Sequence, residues 1–297
     1  MTGGAGFIGA HLVAALVAAG EEVIVLDNLS RRELDRTGEL RLAGSVRLVV
    51  ADVRSREAVA RAMEDVTHVY HLAALSSVRL AMTDPDSCFA TNVLGTYHVL
   101  AAAEAAGVER VVFSSSREVY GEACDLPVAE DRQANPKNMY GASKAAAEVY
   151  CRAFGRMAKV DVSVLRLCNV YGVGDRDRLI PTWLDRARRG EDLVAYGGKQ
   201  ILDFVPVEVV VAALLNAATT RLQGRPINIG TGVGTSLPAL AERVRDLTGV
   251  RVGLRILPPR PEDVTRFVAN VSRMHSMLGI APPQDPLCAL GQLWHSV

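Results

Sequence analysis

The fold class that the sequence predicts is an α/β fold built on a parallel, doubly wound sheet. Short apolar runs alternate with longer segments of helical periodicity, as in βαβ units. The runs are almost continuously apolar, which is typical of strands buried on both faces. They lie at 46–51, 67–72, 110–114 and 161–167. A chain of 297 residues can bury a large core, so we expect a second, smaller domain beside the sheet.

The helical segments complete this alternation. A glycine-rich turn precedes the first helical pattern at 11–17, and an apolar strand at 22–27 comes next. Further helices are predicted at 55–64, 85–106, 140–157 and 207–219. Proline-rich stretches at 257–261 and 281–286 are typical of loops.

The glycine-rich turn at Thr2–Gly9 has a specific pattern. Its glycines lead directly into a helix, and the following strand ends in Asp27. Glycines let the backbone approach a pyrophosphate, and a helix N-terminus supplies N–H groups and a favourable dipole. A carboxylate about 20 residues further on can accept from a ribose 2′-OH and repel a 2′-phosphate. The pattern predicts a dinucleotide site that prefers NAD to NADP, with Arg31 and Arg32 near enough in sequence to soften that preference.

A phenol and an ammonium group stand four residues apart in Tyr140-Gly141-Ala142-Ser143-Lys144. On a helix Tyr140 and Lys144 share one face, and a neighbouring cation favours the phenolate. Tyr140 would then serve as an acid or base near neutral pH; the alternative is a solvated surface pair. The strand at 110–114 ends in the hydroxyls of Ser114–Ser116, and a doubly wound sheet binds ligands beyond such strand ends.

These motifs together resemble a known family. The segments TGGAGFIG, VLDNLS, ADV, YHLAA, NVLGTYHVL, SSSREVYG, YGASK, RLCNVYG, INIGTG and RPEDV occur in this order. The chain is similar to extended short-chain dehydrogenases/reductases of the nucleotide-sugar epimerase/dehydratase family, typified by UDP-glucose 4-epimerase. The similarity runs from Thr2 to about Trp294, and it implies a Rossmann fold with NAD as cofactor.

The resemblance assigns roles to individual residues. It implies catalysis by Ser116, Glu118, Tyr140 and Lys144, with Lys144 lowering the phenol pKa. It implies an NAD site formed by Gly3, Gly6, Phe7, Ile8, Gly9, Asp27, Asn28, Asp52, Val53, Leu72, Ala73, Ala74, Asn92, Ser114, Tyr140 and Lys144. It implies that a nucleotide sugar contacts Ser76, Ser116, Arg117, Asn169 and Arg260. No metal site is predicted, because the histidines lack ligand spacing.

The reaction depends on Glu118. We favour a 4-epimerase that acts, through a transient 4-keto sugar, on a UDP-sugar. Glu118 leaves open a 4,6- or 5,6-dehydratase or a decarboxylase, in which this carboxylate takes the C5 proton. Arg117 stands where dehydratases have an Asp acid, and an arginine cannot donate a proton at neutral pH. Glu118 and Arg117 could instead form a local ion pair.

Three departures from the family pattern bear on the prediction. Leu202 replaces an Arg that contacts the diphosphate, and the segment 205–209 lacks the usual aromatic and paired acids. The usual first strand is absent before Thr2, so we expect the natural chain to begin several residues upstream with an apolar strand; a truncated protein is the alternative. These departures also keep open a catalytically degenerate NAD-binding scaffold or sensor.

The predicted domains are discontinuous. An NAD-binding domain is expected at 1–171 plus about 193–228, and a substrate domain at about 172–192 plus 229–297. Equal numbers of basic and acidic residues, 33 each, argue against a nucleic-acid partner. No apolar run has membrane length. Five scattered cysteines indicate a reduced, cytoplasmic protein. The resemblance implies a homodimer.

Overall fold

A parallel sheet forms the centre of the molecule in the computed structural model, which describes residues 1–30, 45–157 and 160–296. Its strands run in the order β2, β1, β3, β4, β5 and β9, with residues of the N-terminus between β1 and β3. The strands are β1 Val23–Asp27, β2 Val46–Val50, β3 His68–His71, β4 Arg110–Ser116, β5 Asp161–Leu167 and β9 Pro226–Ile229. The predicted doubly wound parallel sheet is therefore confirmed.

Met1–Gly3 lie at the centre of this sheet. Thr2 forms parallel bridges to Leu26 on one side and to His71 on the other. The Thr2 N–H donates to the Tyr70 carbonyl at 2.9 Å, and the Leu72 N–H donates to the Thr2 carbonyl at 3.1 Å. This short segment thus joins the two halves of the sheet and places the glycine-rich turn directly beyond the strand ends.

Helices cover both faces of the sheet. On one face lie α1 Phe7–Ala18 and α8 Val207–Thr219, whose buried residues pack in one core. On the other face lie α2 Arg56–Arg61, α5 Gly95–Ala106 and α6 Met139–Met157, which form a second core with β4 and β5. Apart from the one at 85–106, the predicted helices agree with these bounds within a few residues.

The predicted helix at 85–106 is divided into three parts. It consists of α4 Pro85–Phe89, a π-helical turn Ala90–Leu94, and α5. A single π-helical turn inserts one residue and rotates the side chains that follow; such turns often occur at functional sites. Here the turn carries Asn92. A short helix, α3 Val78–Thr83, precedes α4.

A smaller region lies beside the sheet. Its strands are β6 Asn169–Tyr171, β7 Leu193–Tyr196, β8 Ile201–Pro206, β10 Gly234–Ser236, β11 Leu254–Leu257 and β12 Arg266–Phe267. Strand β8 pairs with β6, β10 and β12, and β7 pairs in parallel with β11. Its helices are α7 Leu179–Arg188, α9 Leu237–Thr248 and α11 Leu290–Ser296, whereas α10 Ser272–Leu278 packs against β9 and α8 of the large sheet.

The packing differs from the predicted domain boundaries in two places. Leu193 and Ala195 belong to the core of the smaller region, because β7 pairs with β11 there. Phe267 and Met274 belong instead to a core of the large sheet. Among the helices described, none is long and apolar enough to cross a membrane.

Candidate active site

A cleft of about 710 Å³ opens beyond the carboxyl ends of the central strands; we call it the main cleft. It brings together most of the predicted site. The predicted residues that line it are Gly3, Gly6, Phe7, Ile8, Gly9, Asp27, Asn28, Val53, Leu72, Ala73, Ala74, Ser76, Ser114, Ser116, Arg117, Glu118, Tyr140, Lys144 and Asn169. Asp52, Asn92 and Arg260 do not line it.

The glycine turn forms a cradle at one end of the main cleft. Gly3 has φ +70°, and a Cβ added there would lie 2.6 Å from the Ala73 nitrogen. A Cβ on Gly9 would lie 2.2 Å from the Gly3 carbonyl oxygen. Both positions therefore require glycine, and α1 begins just beyond, at Phe7. Its unpaired first-turn N–H groups suit a pyrophosphate, so these residues fit NAD.

Asp27 stands at the end of β1, beside this cradle. Its Oδ2 accepts from the Ala5 N–H at 3.0 Å, and its Oδ1 accepts from the Leu29 N–H at 2.8 Å. The carboxylate is held rigidly at the cleft wall and keeps lone pairs for a ribose hydroxyl. The preference for NAD over NADP stays a prediction, and Arg31 and Arg32 lie outside the described residues.

Asp52 has a supporting position. Its Oδ2 accepts from Asn28 Nδ2 at 2.9 Å, and its Oδ1 accepts from the Arg54 N–H at 2.9 Å. Of the neighbouring residues Asp52 and Val53, both expected at the NAD site, only Val53 lines the main cleft. Asp52 therefore orders the loop that presents Val53 and Asn28.

Tyr140 and Lys144 lie on the face of α6 that is turned toward β4. Lys144 is buried, its Nζ donates to the Ser114 carbonyl at 2.7 Å, and it lies 4.7 Å from the Phe113 ring centroid. The Tyr140 phenol and the Ser116 hydroxyl both line the main cleft. Because the Ser116 oxygen accepts from the Glu118 N–H at 3.2 Å, its single proton is available to the phenol. A solvated surface pair is thereby excluded.

The electrostatics of this pair are set mainly by burial. Burial raises the pKa of Tyr140 to about 12, while the Ser116 hydrogen bond and the Arg178 cation act to lower it. Burial lowers the pKa of Lys144 to about 8 from an ordinary value of 10.5. The lowering of the phenol pKa by Lys144 stays a prediction. Arg178, which sequence reasoning did not single out, contributes a second cation.

Glu118 forms the ion pair that was the alternative to a role as base. Its Oε1 lies 2.8 Å from Arg117 Nη2, and its Oε2 accepts from Asn138 Nδ2 at 2.8 Å. Both residues of the pair are buried. Arg117 also donates to Asn169 Oδ1 at 3.4 Å. The carboxylate thus lines the cleft with both oxygens already engaged.

Asn92 lies behind the main cleft and hydrogen-bonds two segments that form it, the loop after β3 and α6. Its Oδ1 accepts from the Leu75 N–H at 2.8 Å, and its Nδ2 donates to Ser143 Oγ at 2.9 Å. Since Ser143 precedes Lys144 on α6, the π-helical turn supports α6, and Asn92 itself does not line the main cleft.

A second cavity, of about 680 Å³, adjoins the main cleft and shares Asn169 and Arg178 with it. We call it the side cavity. Arg260 and Leu202 line it as well, and Arg260 Cζ lies 3.4 Å from the Tyr196 ring centroid. Arg178 pairs with Asp175 at 3.1 Å and lies over the Phe7 ring. Leu202 stands where the family pattern has an arginine, and Arg178 supplies a cation to the same cavity from another segment of the chain.

No cluster of three or more His, Cys, Asp or Glu side chains able to hold a metal ion occurs within residues 1–30, 45–157 and 160–296. The fold and the site define a dinucleotide-binding α/β enzyme, in whose main cleft Tyr140 and Lys144 lie. The model of the NAD dependent epimerase/dehydratase family matches residues 1–230. The chain belongs to that family.

Relatives with several activities are similar to this chain. A putative UDP-glucose 4-epimerase of Methanocaldococcus jannaschii is 32% identical over 96% of this chain and 93% of its own length. The structure of MoeE5 with UDP-glucose and NAD is 36% identical, has a TM-score of 0.90, and covers 99% of this chain and 96% of the other. DesIV, a dTDP-glucose 4,6-dehydratase of Streptomyces venezuelae with NAD and TYD bound, is 29% identical with a TM-score of 0.94, and covers 99% and 95%.

Proposed function

We propose that the protein is an NAD-dependent 4-epimerase of a UDP-sugar. The observation that carries the proposal is that Tyr140, Ser116 and Lys144 are assembled in the main cleft, while Glu118 is held in an ion pair. UDP-glucose 4-epimerases among the relatives, and the UDP-glucose bound to MoeE5, support the substrate class. A dehydratase, represented by DesIV, is the second candidate, because Glu118 lines the cleft.

The chain's own residues manage the proton and the charge. When bound, NAD supplies the oxidation by accepting the C4 hydride and returning it. Tyr140, as the phenolate, takes the proton of the C4 hydroxyl and later gives it back, and Ser116 holds that oxygen beside the phenol. Lys144 and Arg178 supply positive charge that favours the phenolate over the neutral phenol. The side cavity, with Arg178 and Arg260, takes the diphosphate, for which guanidinium groups are suited.

A panel of UDP-, dTDP- and GDP-sugars tests the proposal. The expected result is interconversion of a UDP-hexose with its 4-epimer, detected by NMR, without change in mass. Loss of water or CO₂ would identify the dehydratase or decarboxylase reaction instead. A folded protein that binds NAD and converts no member of the panel would contradict the proposal and support the scaffold alternative.

Substitution of Glu118 separates the two candidate reactions. In the epimerase reaction no proton leaves C5, so Glu118→Gln should retain most of the turnover of the wild type. For the same reason, wild-type product formed in D₂O should gain no carbon-bound deuterium. Deuterium at C5, together with loss of activity in Glu118→Gln, would identify Glu118 as the base that removes the C5 proton. Glu104→Gln makes the same change at an exposed position on α5 and is the control, which should keep the turnover of the wild type.

Arg178 should contribute to substrate binding. A hydrogen bond to a charged group is worth roughly 1.5–3 kcal/mol, so we expect Arg178→Gln to raise KM for the nucleotide sugar about tenfold or more. Arg189→Gln, which breaks an exposed ion pair at the opposite end of the same helix, is the control. Steady-state kinetics measure both. An unchanged KM would remove Arg178 from the diphosphate site.

We also propose a homodimer formed through α5 and α6. Tyr97 on α5 packs against Tyr150 and Phe154 on α6, with ring centroids 6.0 and 6.4 Å apart. Val149 and Tyr150 are exposed beside them. We expect light scattering to give the mass of a dimer, and Val149→Lys to give a monomer. Ile256→Lys, which changes an exposed apolar residue of the smaller region, should leave the mass unchanged.

The two regions of the chain and its cysteines bear on where the ligands bind and on the compartment. The large sheet with its helices binds NAD and the smaller region binds the sugar nucleotide, so the two predicted domains correspond to the two ligands. All five cysteines are free, which suits a reduced compartment such as the cytoplasm.

A further inference from the structure

Three polar side chains form a row across the buried sheet. Arg166 on β5 lies opposite Ser115 on β4 and opposite Asn228 on β9 in the strand registers. Neighbouring residues in register project from the same face of a sheet. All three side chains are buried, Asn228 completely. A polar row in such a place is unexpected, because the surrounding positions are apolar.

Glu148 of α6 covers this row. Its Oε1 and Oε2 accept from Arg166 Nε at 2.9 Å and Nη2 at 2.7 Å, a two-point pairing. The Ser115 hydroxyl donates to Oε1 at 2.6 Å. Glu148 follows Lys144 by four residues and Tyr140 by eight, so all three lie on one helical face. The helix is thus attached to the sheet one turn beyond Lys144.

Arg166 also contacts the segment that forms the other wall of the main cleft. Its Nη1 donates to the Tyr120 hydroxyl at 2.7 Å and to the Glu130 carbonyl at 3.0 Å. The Tyr120 hydroxyl donates to Asn228 Oδ1 at 2.7 Å. Tyr120 ends the 3₁₀ turn Arg117–Tyr120, which carries Glu118. One guanidinium therefore joins the catalytic helix to the turn that follows Ser116.

Buried ion pairs add little to folding stability in general. The loss of hydration of both charges offsets most of their attraction, and replacement by apolar side chains is often neutral or stabilising. The two-point geometry does fix the relative orientation of the two side chains, because the planar guanidinium group donates two parallel hydrogen bonds to a carboxylate in only one orientation. The Glu148–Arg166 pair therefore contributes more to the orientation of α6 on the sheet than to folding stability.

We propose that Glu148 and Arg166 are positioning residues. They fix the axial position and rotation of α6 against the end of β4, so that the Tyr140 phenol meets Ser116. This inference rests on the proposed epimerase function. A misplacement of about 1 Å can cost roughly 10²-fold in rate, so the effect falls on kcat while the substrate contacts of the side cavity keep KM nearly unchanged.

The test replaces the pair by apolar side chains, Glu148→Leu with Arg166→Met. We expect kcat to fall between about tenfold and a hundredfold, with KM within about threefold of wild type. Arg166→Lys is the second variant, because it keeps the charge and loses the fork; it should also lower kcat about tenfold. Arg243→Met with Asp285→Leu, which removes an exposed pair, should change neither constant.

Hydrogen exchange gives a readout that needs no substrate. Exchange at the amides of 139–145 and 117–121 should rise in both variants and stay unchanged in the exposed-pair control. If wild type turns over no sugar, the proposed function fails while this measurement still decides the positioning. Wild-type kcat and unchanged exchange in folded Arg166→Lys would overturn the proposal, as would a change confined to KM.

Discussion

Tyr140→Phe is expected to lower kcat by at least 10²–10⁴-fold, the range for loss of a general acid or base. The variant removes one oxygen and keeps the ring, so the packing of α6 should persist. NAD affinity, measured by calorimetry, should stay within a few-fold, because the cradle at Gly3 and Gly9 is unchanged. The epimerisation rate is measured by NMR or by a coupled assay.

Tyr150→Phe is the matched control for that experiment. It makes the same change on the same helix at an exposed position. We expect wild-type kcat from it. If Tyr140→Phe kept most of the activity, Tyr140 would lose its role and the phenol would be a structural contact of Ser116.

Lys144→Met is expected to lower kcat by roughly 10²–10³-fold, the loss seen when one electrostatic donor is removed from an active site. The Lys144 ammonium group donates to the Ser114 carbonyl at 2.7 Å in the main cleft, and methionine has no donor for that position. Lys199→Met, at an exposed loop position, is the control and should keep wild-type activity.

The same variant should reveal how Lys144 affects stability. Burial lowers the pKa of Lys144 to about 8, whereas the unfolded chain has an ordinary lysine near 10.5. Between these values the unfolded state binds more protons, so the contribution of Lys144 to the free energy of unfolding rises with pH. Below about pH 8 the charged side chain is buried at a cost.

Denaturant unfolding from pH 7 to pH 10 measures this effect. We expect Lys144→Met to be at least as stable as wild type at pH 7, and its advantage to shrink as the pH rises above 8. A wild-type protein that loses stability relative to Lys144→Met over that interval would contradict the sign.

Much of the architecture follows from local patterns. The strand at 161–167 and the helix at 207–219 agree with β5 and α8 because continuous apolar runs and helical periodicity are short-range signals. The π-helical turn at Ala90–Leu94 has no such signal; it carries Asn92, whose Nδ2 donates to Ser143 on α6. The division of the chain between the large sheet and the smaller region was also not readable locally, since the pairing of β7 with β11 places Leu193–Tyr196 in the smaller region.

The site divides in the same way. The sequence by itself determined the cradle at Thr2–Gly9 and the placement of Tyr140 and Lys144 on one face of a helix, because each depends on spacing within one turn or helix. Tertiary structure alone decided the state of Glu118, since Asn138 reaches it from another segment. It also decided the position of Arg178, whose loop is held on α1 through a 2.7 Å hydrogen bond between His11 and the Val173 carbonyl. Contacts between distant segments leave no periodic trace in a single sequence, because they depend on how the elements pack.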